Sequence, residues 1–142
     1  MSPVATFIAM PGADRLLLLR ALTTLAAVRL GLRLLSVEKL RGFASSRGAA
    51  RPGAGSVPAD RLAWAVRIAR RRLPGTSCLA SALALQRMLS ADGHDSELHI
   101  GVARTGGDFA AHAWLTHKGE ILVGEEEHED YTRLVAWRAG PG

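Results

Sequence analysis

The residues that could carry out chemistry in this chain are one thiol, one imidazole and a short run of carboxylates. Cys78 is the only cysteine among the 142 residues, and it opens a helix-like run of leucine and alanine. His112 follows in a strand-like segment, and the acidic run Glu125–Glu127 comes just past the next turn. A cysteine nucleophile needs a thiolate, a base that makes it and an acid that holds the base in place. The three groups therefore predict a cysteine nucleophile site.

The position of Cys78 at a helix start favours this interpretation. A helix N-terminus has free backbone N–H groups and a partial positive charge, and both favour a thiolate. Thr76 and Ser77 immediately precede it and are candidates for the N-cap. The alternative is structural, because free cysteine is often a small buried hydrophobe.

Three helices are predicted before the strands begin. Their apolar residues recur at helical spacing. The first runs from near Asp14 to about Leu40, with Gly31 as a break, the second from Asp60 to Arg72, and the third from Cys78 to about Ser90. The third is apolar almost all round, which is typical of a helix buried in the middle of a domain.

From Ser96 the apolar pattern alternates with a period of two, which predicts strands. The predicted strands are 96–102, Phe109–His117 and Glu120–Gly124, with a last strand or short helix over Tyr131–Trp137. Helices followed by an antiparallel sheet indicate an α+β fold. We divide the chain into an N-terminal helical segment with a linker over residues 1–57 and a catalytic core over 58–142, which together form one compact domain.

The hairpin after His112 gives a geometric prediction for the acid. If Lys118 and Gly119 form a two-residue turn, paired positions sum to about 237, so Trp114 faces Val123 and His112 faces Glu125. Directly opposed side chains have Cβ atoms about 4.5–5.5 Å apart, which would let Glu125 orient the imidazole. Asp108 and Asp130 are weaker candidates, and the structural alternative is a solvated acidic loop.

Composition restricts the remaining site classes. One cysteine excludes an internal disulfide framework and a four-cysteine metal site, and it fits a reducing, cytoplasmic compartment. A histidine metal site is poorly supported, because His112 and His117 point to opposite strand faces and the other three histidines have no ligand spacing. We therefore expect neither a metal nor a cofactor.

The net charge of +5 is unevenly distributed. Residues 1–75 contain thirteen Lys and Arg against three Asp and Glu, whereas residues 76–142 contain five against ten. The basic half could meet an acidic peptide, a partner protein or an anionic membrane, or it reflects a compositional bias toward arginine. Aromatic residues do not interleave with the basic ones, so we predict no nucleic-acid binding.

The N-terminal leucine-rich run raises the question of a membrane. A spanning helix needs about 20 apolar residues, but arginines at positions 15, 20, 29 and 33 interrupt this run. An amphipathic helix that packs on the domain or rests on a membrane surface is the expected form.

Several segments together resemble one family, the transglutaminase-like leader peptidases of lasso peptide biosynthesis, which are the B proteins of that pathway. The resemblance covers roughly residues 58–135. It rests on Cys78-Leu79-x-x-Ala82-Leu83-Ala84-Leu85, Leu89, Gly93, Leu98-x-Ile100-Gly101-Val102, Phe109-x-Ala111-His112-Ala113-Trp114-Leu115 and Tyr131-x-x-Leu134.

The resemblance implies a transglutaminase-like, papain-like fold and a cysteine protease that removes the leader from a ribosomally made precursor peptide. By resemblance Cys78 is the nucleophile, His112 the base and Glu125 the acid, although that position is usually Asp in the family. The family also implies partners: the precursor leader, a separate leader-recognition protein and the lasso cyclase. With no obvious recognition domain before Asp60, we expect the stand-alone, split-type peptidase. The alternatives are a transglutaminase-like acyltransferase or deamidase, and a non-catalytic adaptor.

Overall fold

Three helices precede the sheet in the computed structural model of the chain. The structure describes residues 12–36, 39, 42, 57–105, 108–123 and 132–139, of which 103–105, 108–111 and 132–139 are described by their backbone. The helices are α1 (Gly12–Leu34), α2 (Ala59–Arg72) and α3 (Cys78–Ala91). No described strand lies between these helices, so a helical part of the chain precedes the sheet.

Four antiparallel strands form the sheet. They are β1 (Ser96–Thr105), β2 (Asp108–His117), β3 (Glu120–Val123) and β4 (Thr132–Ala139), in the spatial order β3-β2-β1-β4. The two central strands form a hairpin whose innermost pair is Thr105 with Asp108. Together with the helices they confirm the predicted α+β class, in which a central helix packs on an antiparallel sheet.

The helices have defined relative directions. Asp14 at the start of α1 pairs with Arg61 at the start of α2. At the other end, Arg29 of α1 lies beside Gly75, just past α2, with Nη2 3.8 Å from where a Gly75 Cβ would be. The two helices therefore run parallel. Helix α3 runs the opposite way, because Arg20 near the start of α1 donates a hydrogen bond to the carbonyl of Met88 near its end.

One hydrophobic core joins all these elements. Leu25 of α1, Leu62 of α2, Leu83 of α3 and Leu98 of β1 are all fully buried in the same cluster. Helix α3 lies in the middle, in contact with both other helices and with β1, β2 and β3. Burying a leucine side chain is worth about 1.5–3 kcal/mol, so these contacts hold the start of α3 firmly against the sheet.

The helix bounds follow the predictions closely, with one difference. Helices α2 and α3 begin and end within a residue of their predicted limits. Helix α1 ends at Leu34 rather than near Leu40, and Gly31 does not interrupt it. Gly31 is buried on the packing face of the helix, and the helix continues through it to Leu34.

The second hairpin contains the predicted turn and an unpredicted irregularity. Lys118 and Gly119 both have positive φ, at 51° and 80°, as a two-residue type I′ turn requires. His117 pairs with Glu120 and Thr116 with Ile121, as the sequence predicts. The register then shifts, and Leu115 pairs with Val123. The predicted pairing of Trp114 with Val123 is therefore wrong.

A contact from another element accounts for the shift. Leu122 is the extra residue of this bulge, since its two neighbours on β3 are both paired. Its backbone carbonyl accepts a hydrogen bond from the guanidinium of Arg67 on α2, while its side chain is buried. A bulge leaves one backbone group without a ladder partner, and here a side chain from the helical layer satisfies it.

A polar anchor fastens the end of α3 to two distant segments. The Asp92 carboxylate accepts hydrogen bonds from Arg20 of α1 at 2.7 Å and from the backbone N–H of Val57 at 2.9 Å. The carbonyl of Val57 lies 2.7 Å from Nε2 of His94. Burial alone would raise the pKa of Asp92. The hydrogen bonds from Arg20 and Val57, with the charges of Arg20 and His94, outweigh it and lower that pKa below its usual range.

We expect Asp92→Asn to reduce the free energy of unfolding by about 1–2 kcal/mol at neutral pH, because a charge-assisted pair with a largely buried carboxylate is lost. A carboxyl group with a lowered folded pKa stabilises the fold above its unfolded pKa of about 3.9, and this contribution disappears as the pH falls through the folded pKa. Urea unfolding at neutral pH and near pH 3 measures both effects.

The difference in stability between wild type and Asp92→Asn should therefore shrink in acid. Glu120→Gln is the matched control, because Glu120 is an exposed carboxyl group in the second hairpin. It should change the free energy of unfolding by less than about 0.5 kcal/mol. A difference for Asp92→Asn that persists unchanged in acid would contradict the anchor.

Candidate active site

Cys78 is the first residue of helix α3, and the chain before it forms the cap. Ser77 has extended backbone geometry, and its hydroxyl oxygen accepts the N–H of Ala80 at 3.1 Å. Thr76, the other predicted cap, donates its hydroxyl to the carbonyl of Leu73 at 2.6 Å instead. The Ser77 cap fixes where the helix begins, and this places the thiol in its first turn.

The thiol is half-buried and contacts the strand that contains His112. The backbone N–H of Ala113 donates a hydrogen bond to Sγ of Cys78 at 3.3 Å. The described part of β3 ends at Val123, opposite Leu115. Ala113 precedes Leu115 by two residues on β2, so its N–H points to the same side as that of Leu115. The Cys78 sulfur therefore accepts a backbone N–H on the side of β2 that faces β3.

His112 belongs to a stack of three aromatic rings. Its ring lies 6.0 Å from that of Trp114, with planes 21° apart. His99 of β1 pairs with Trp114 across the hairpin, and its ring lies 5.3 Å from the Trp114 ring with the two planes 11° apart. Trp114 and His99 are both buried, and His99 is held by Thr116, with Nε2 3.0 Å from Oγ1. Packing against these rings restricts the orientation of the His112 ring.

Strand alternation determines which face carries each group. Ala113 and Leu115 belong to the core that the helices cover, so His112 and Trp114 belong to the opposite face of β2. Cys78 comes from the helical layer, and its sulfur reaches the backbone of Ala113, the residue that follows His112. The described contact between the thiol and this strand is therefore made with the backbone next to His112.

The third predicted residue, Glu125, lies outside the described residues, as do Glu126, Glu127 and Asp130. The bulge at Leu122 removes the register argument that selected Glu125 over its neighbours, because the sum of paired positions has already changed at Leu115. Asp108 is the innermost residue of the first hairpin, paired with Thr105. Within the described ranges, no three His, Cys, Asp or Glu side chains come together as metal ligands.

Three features of the site were not identified in the sequence. The N–H of Ala113 and the carbonyl of Leu122 have no side-chain signature. The stacking of His99 on Trp114 did have one: if Gly106 and Gly107 are treated as a two-residue turn, the strands on either side pair Thr105 with Asp108 and therefore His99 with Trp114, as found. The same arithmetic that was applied to the second hairpin would have found this partner in the first.

A family model described as the transglutaminase-like superfamily matches residues 21–136, which include α2, α3, the strands β1 to β3 and most of α1 and β4. The chain belongs to the transglutaminase-like superfamily. Cysteine-based catalysis is general in this superfamily, and Cys78 is the one cysteine that this chain has for it. Comparison with curated proteins and with solved structures gave no significant match.

Proposed function

We propose that the chain is a cysteine peptidase that removes the leader from a ribosomally synthesised lasso peptide precursor. The main support is the contact between Cys78 Sγ and the backbone beside His112, which joins the start of α3 to β2. Membership of the transglutaminase-like superfamily supports the cysteine chemistry. The leader-peptidase role rests on the motif resemblance in residues 58–135.

In this mechanism His112 takes the proton of the Cys78 thiol, and the thiolate attacks the carbonyl carbon of the scissile bond. The carbon–nitrogen bond then breaks, and His112 gives the proton to the leaving amine of the core peptide. The leader stays on Cys78 as a thioester. Water, deprotonated by His112, attacks that thioester and releases the leader acid and the free thiol.

The start of α3 supplies donors for the oxyanion that forms on the carbonyl oxygen. Two of the first N–H groups of the helix already have acceptors. The N–H of Ala80 donates to the Ser77 hydroxyl oxygen, and the N–H of Ser81 donates to the Ser77 carbonyl. The N–H groups of Cys78 and Leu79 remain without a hydrogen-bond partner in the described part of the chain. Removing one such donor in other enzymes costs about 10²–10³ in kcat.

The proposal includes a separate recognition protein that binds the leader and a cyclase that closes the ring afterwards. Holding the leader raises the local concentration of the scissile bond and orients it. We therefore expect slow cleavage by the peptidase alone and faster cleavage with the recognition protein present.

Mass spectrometry of the precursor after incubation with the chain tests this function, with and without the recognition protein. The expected products are a leader ending in a free carboxylate and a core peptide with a free amine. An added primary amine separates the acyltransferase alternative, because a transferase would return the leader as an amide. Intact precursor under all conditions, from a folded chain with an alkylatable thiol, would contradict the peptidase.

We further expect Glu125 to orient His112, as the position of an acid in the family implies. Glu125→Gln should slow single-turnover cleavage strongly, by up to about 10⁴, the cost of removing the orienting carboxylate in a serine-type triad. Glu126→Gln and Glu127→Gln are matched controls with the same loss of charge and should change the rate by less than about threefold.

The bulge makes this comparison informative. If Glu126→Gln is the sensitive variant and Glu125→Gln is close to wild type, the shifted register continues past Val123 and Glu126 takes the role. If all three variants cleave at the wild-type rate, the catalytic unit is a Cys-His pair and the acidic run is a solvated loop.

A further inference from the structure

Helix α1 presents an apolar face to solvent as well as to the core. Five large apolar side chains are exposed among the described residues, and all belong to α1 or directly follow it: Leu16 at 70%, Leu19 at 46%, Leu30 at 59%, Leu34 at 72% and Leu35 at 48%. The core is packed by other positions of the same helix, such as Leu25 and Val28. The outer leucines lie outside the described core cluster.

The exposed residues form one continuous stripe. At 100° per residue, an arc of about 100° holds Leu16, Leu19, Thr23, Ala26, Ala27, Leu30 and Leu34, and all seven are exposed. We call this set the leucine stripe. It runs for about 27 Å along the helix at ~1.5 Å per residue, with no charged residue in it. The hydroxyl of Thr23, its only polar group, bonds back to the carbonyls of Leu19 and Arg20.

Positive charge borders the stripe. Arg15 and Arg33 are eighteen residues apart, so they lie at the same angle, directly beside its edge. On the other edge lies Arg20, whose charge is balanced by Asp92. Asp14, the only acidic residue of α1, lies on another side of the helix and pairs with Arg61 of α2. The surface is thus apolar in the middle and basic along the side with Arg15 and Arg33, and α1 itself contributes no acidic residue to either edge.

We propose that the leucine stripe is a docking surface for an anionic membrane, on which α1 lies flat with its outer leucines among the acyl chains. Leucine on one side with arginine at the margin is the pattern of helices that lie in the membrane interface. Exposed apolar patches of this extent mark interaction sites rather than ordinary surface. Among the described residues no helix has the length and apolar character needed to cross a bilayer.

The charges argue against a second copy of the chain as the occupant. Pairing two stripes around a two-fold axis with antiparallel helices would place Arg15 of one copy beside Arg33 of the other. Parallel helices would place the edge with Arg15 and Arg33 beside the other copy's edge with Arg20, whose charge is already paired with Asp92. Neither arrangement brings an acidic residue of α1 into the contact, and the antiparallel one brings like charges together, which opposes association. An anionic lipid surface complements the same arginines.

Vesicle co-sedimentation of the purified chain tests the proposal without any peptidase assay. The chain should bind vesicles rich in phosphatidylglycerol, bind phosphatidylcholine vesicles much more weakly, and lose affinity as salt is raised. Leu16→Gln/Leu30→Gln/Leu34→Gln should bind at least about tenfold more weakly, since apolar burial is lost while helix propensity is kept.

The arginines are tested separately. Arg15→Gln/Arg33→Gln should weaken binding to the anionic vesicles by about 25-fold, about fivefold for each charge near the surface. The control Arg70→Gln/Lys118→Gln removes the same charge elsewhere, from exposed residues at the end of α2 and in the second hairpin, and should bind within about twofold of wild type. Thermal unfolding by circular dichroism checks that each variant is folded. If the leucine variant is unfolded, the binding of the Arg15→Gln/Arg33→Gln variant and the salt dependence of the wild type test the proposal instead.

Three outcomes would overturn the proposal. The first is no binding of the folded wild-type chain to anionic vesicles, which would leave a protein partner as the occupant of the stripe. The second is binding that the leucine and arginine variants do not weaken. The third is a wild-type dimer in light scattering that the leucine variant converts to a monomer, which would assign the stripe to a second copy.

Discussion

Cys78→Ala is expected to abolish cleavage of the precursor, with a fall in the single-turnover rate of at least about 10⁴, because no other thiol in the chain can form the thioester. Losing the nucleophile removes the covalent route and leaves only what binding and the helix-start donors provide. Mass spectrometry of the products measures the loss. Wild-type cleavage by Cys78→Ala would refute the mechanism.

The matched variant is Cys78→Ser, which keeps an acceptor for the Ala113 N–H but offers a much poorer nucleophile. Both variants should keep the fold, since Cys78 is only half-buried and packs at the margin of the core. If the two are equally inactive and equally stable, the defect is chemical. If Cys78→Ala is inactive and also strongly destabilised while Cys78→Ser is active, the residue has a structural role beside Ala113 of β2.

His112→Ala is expected to reduce the rate by at least about 10⁴, since removing the base of a serine-type triad costs on the order of 10⁶ in kcat. Two steps lose their proton carrier: formation of the thiolate and departure of the amine. Alkylation of Cys78 by iodoacetamide gives a second readout, free of background because the chain has one cysteine. It should be slower in His112→Ala at mildly acidic pH.

His117→Gln is the matched control. His117 lies on the same strand but on its opposite face, with Nδ1 2.5 Å from the carbonyl of Asp95, and its replacement should leave both cleavage and alkylation close to wild type. If His112→Ala slows cleavage but leaves alkylation unchanged, His112 acts on the leaving amine and another group makes the thiolate. A normal cleavage rate in His112→Ala would remove it from the mechanism.

The helices and strands could be predicted from the sequence because their signals are local. Apolar spacing and the Ser77 cap fixed the start of α3 to the residue, and Lys118-Gly119 indicated a two-residue turn. The early end of α1 at Leu34 was missed, because the apolar pattern continues to Leu40 after the described helix has ended. The apolar pattern alone therefore does not indicate where this helix ends.

The details of the site depended on contacts between distant segments. The bulge at Leu122 is stabilised by Arg67, which is 55 residues away in the chain. The acceptor of the Ala113 N–H is a sulfur 35 residues away. Neither contact leaves a periodic signal. Since a register change of one residue moves every later side chain to a new partner, an error at one bulge is enough to undo a triad assigned by counting.

The anchor between Arg20 and Asp92 has a consequence for the synthesis of the chain. The two residues are 72 positions apart, and a ribosome adding roughly 5–20 residues per second needs roughly 4–14 s to cover that distance. Throughout this interval α1 has emerged without the end of α3 that fastens it. Both its core leucines and its outer leucines are then uncovered, so the nascent helix is open to chaperones or to a lipid surface before the rest of the molecule exists.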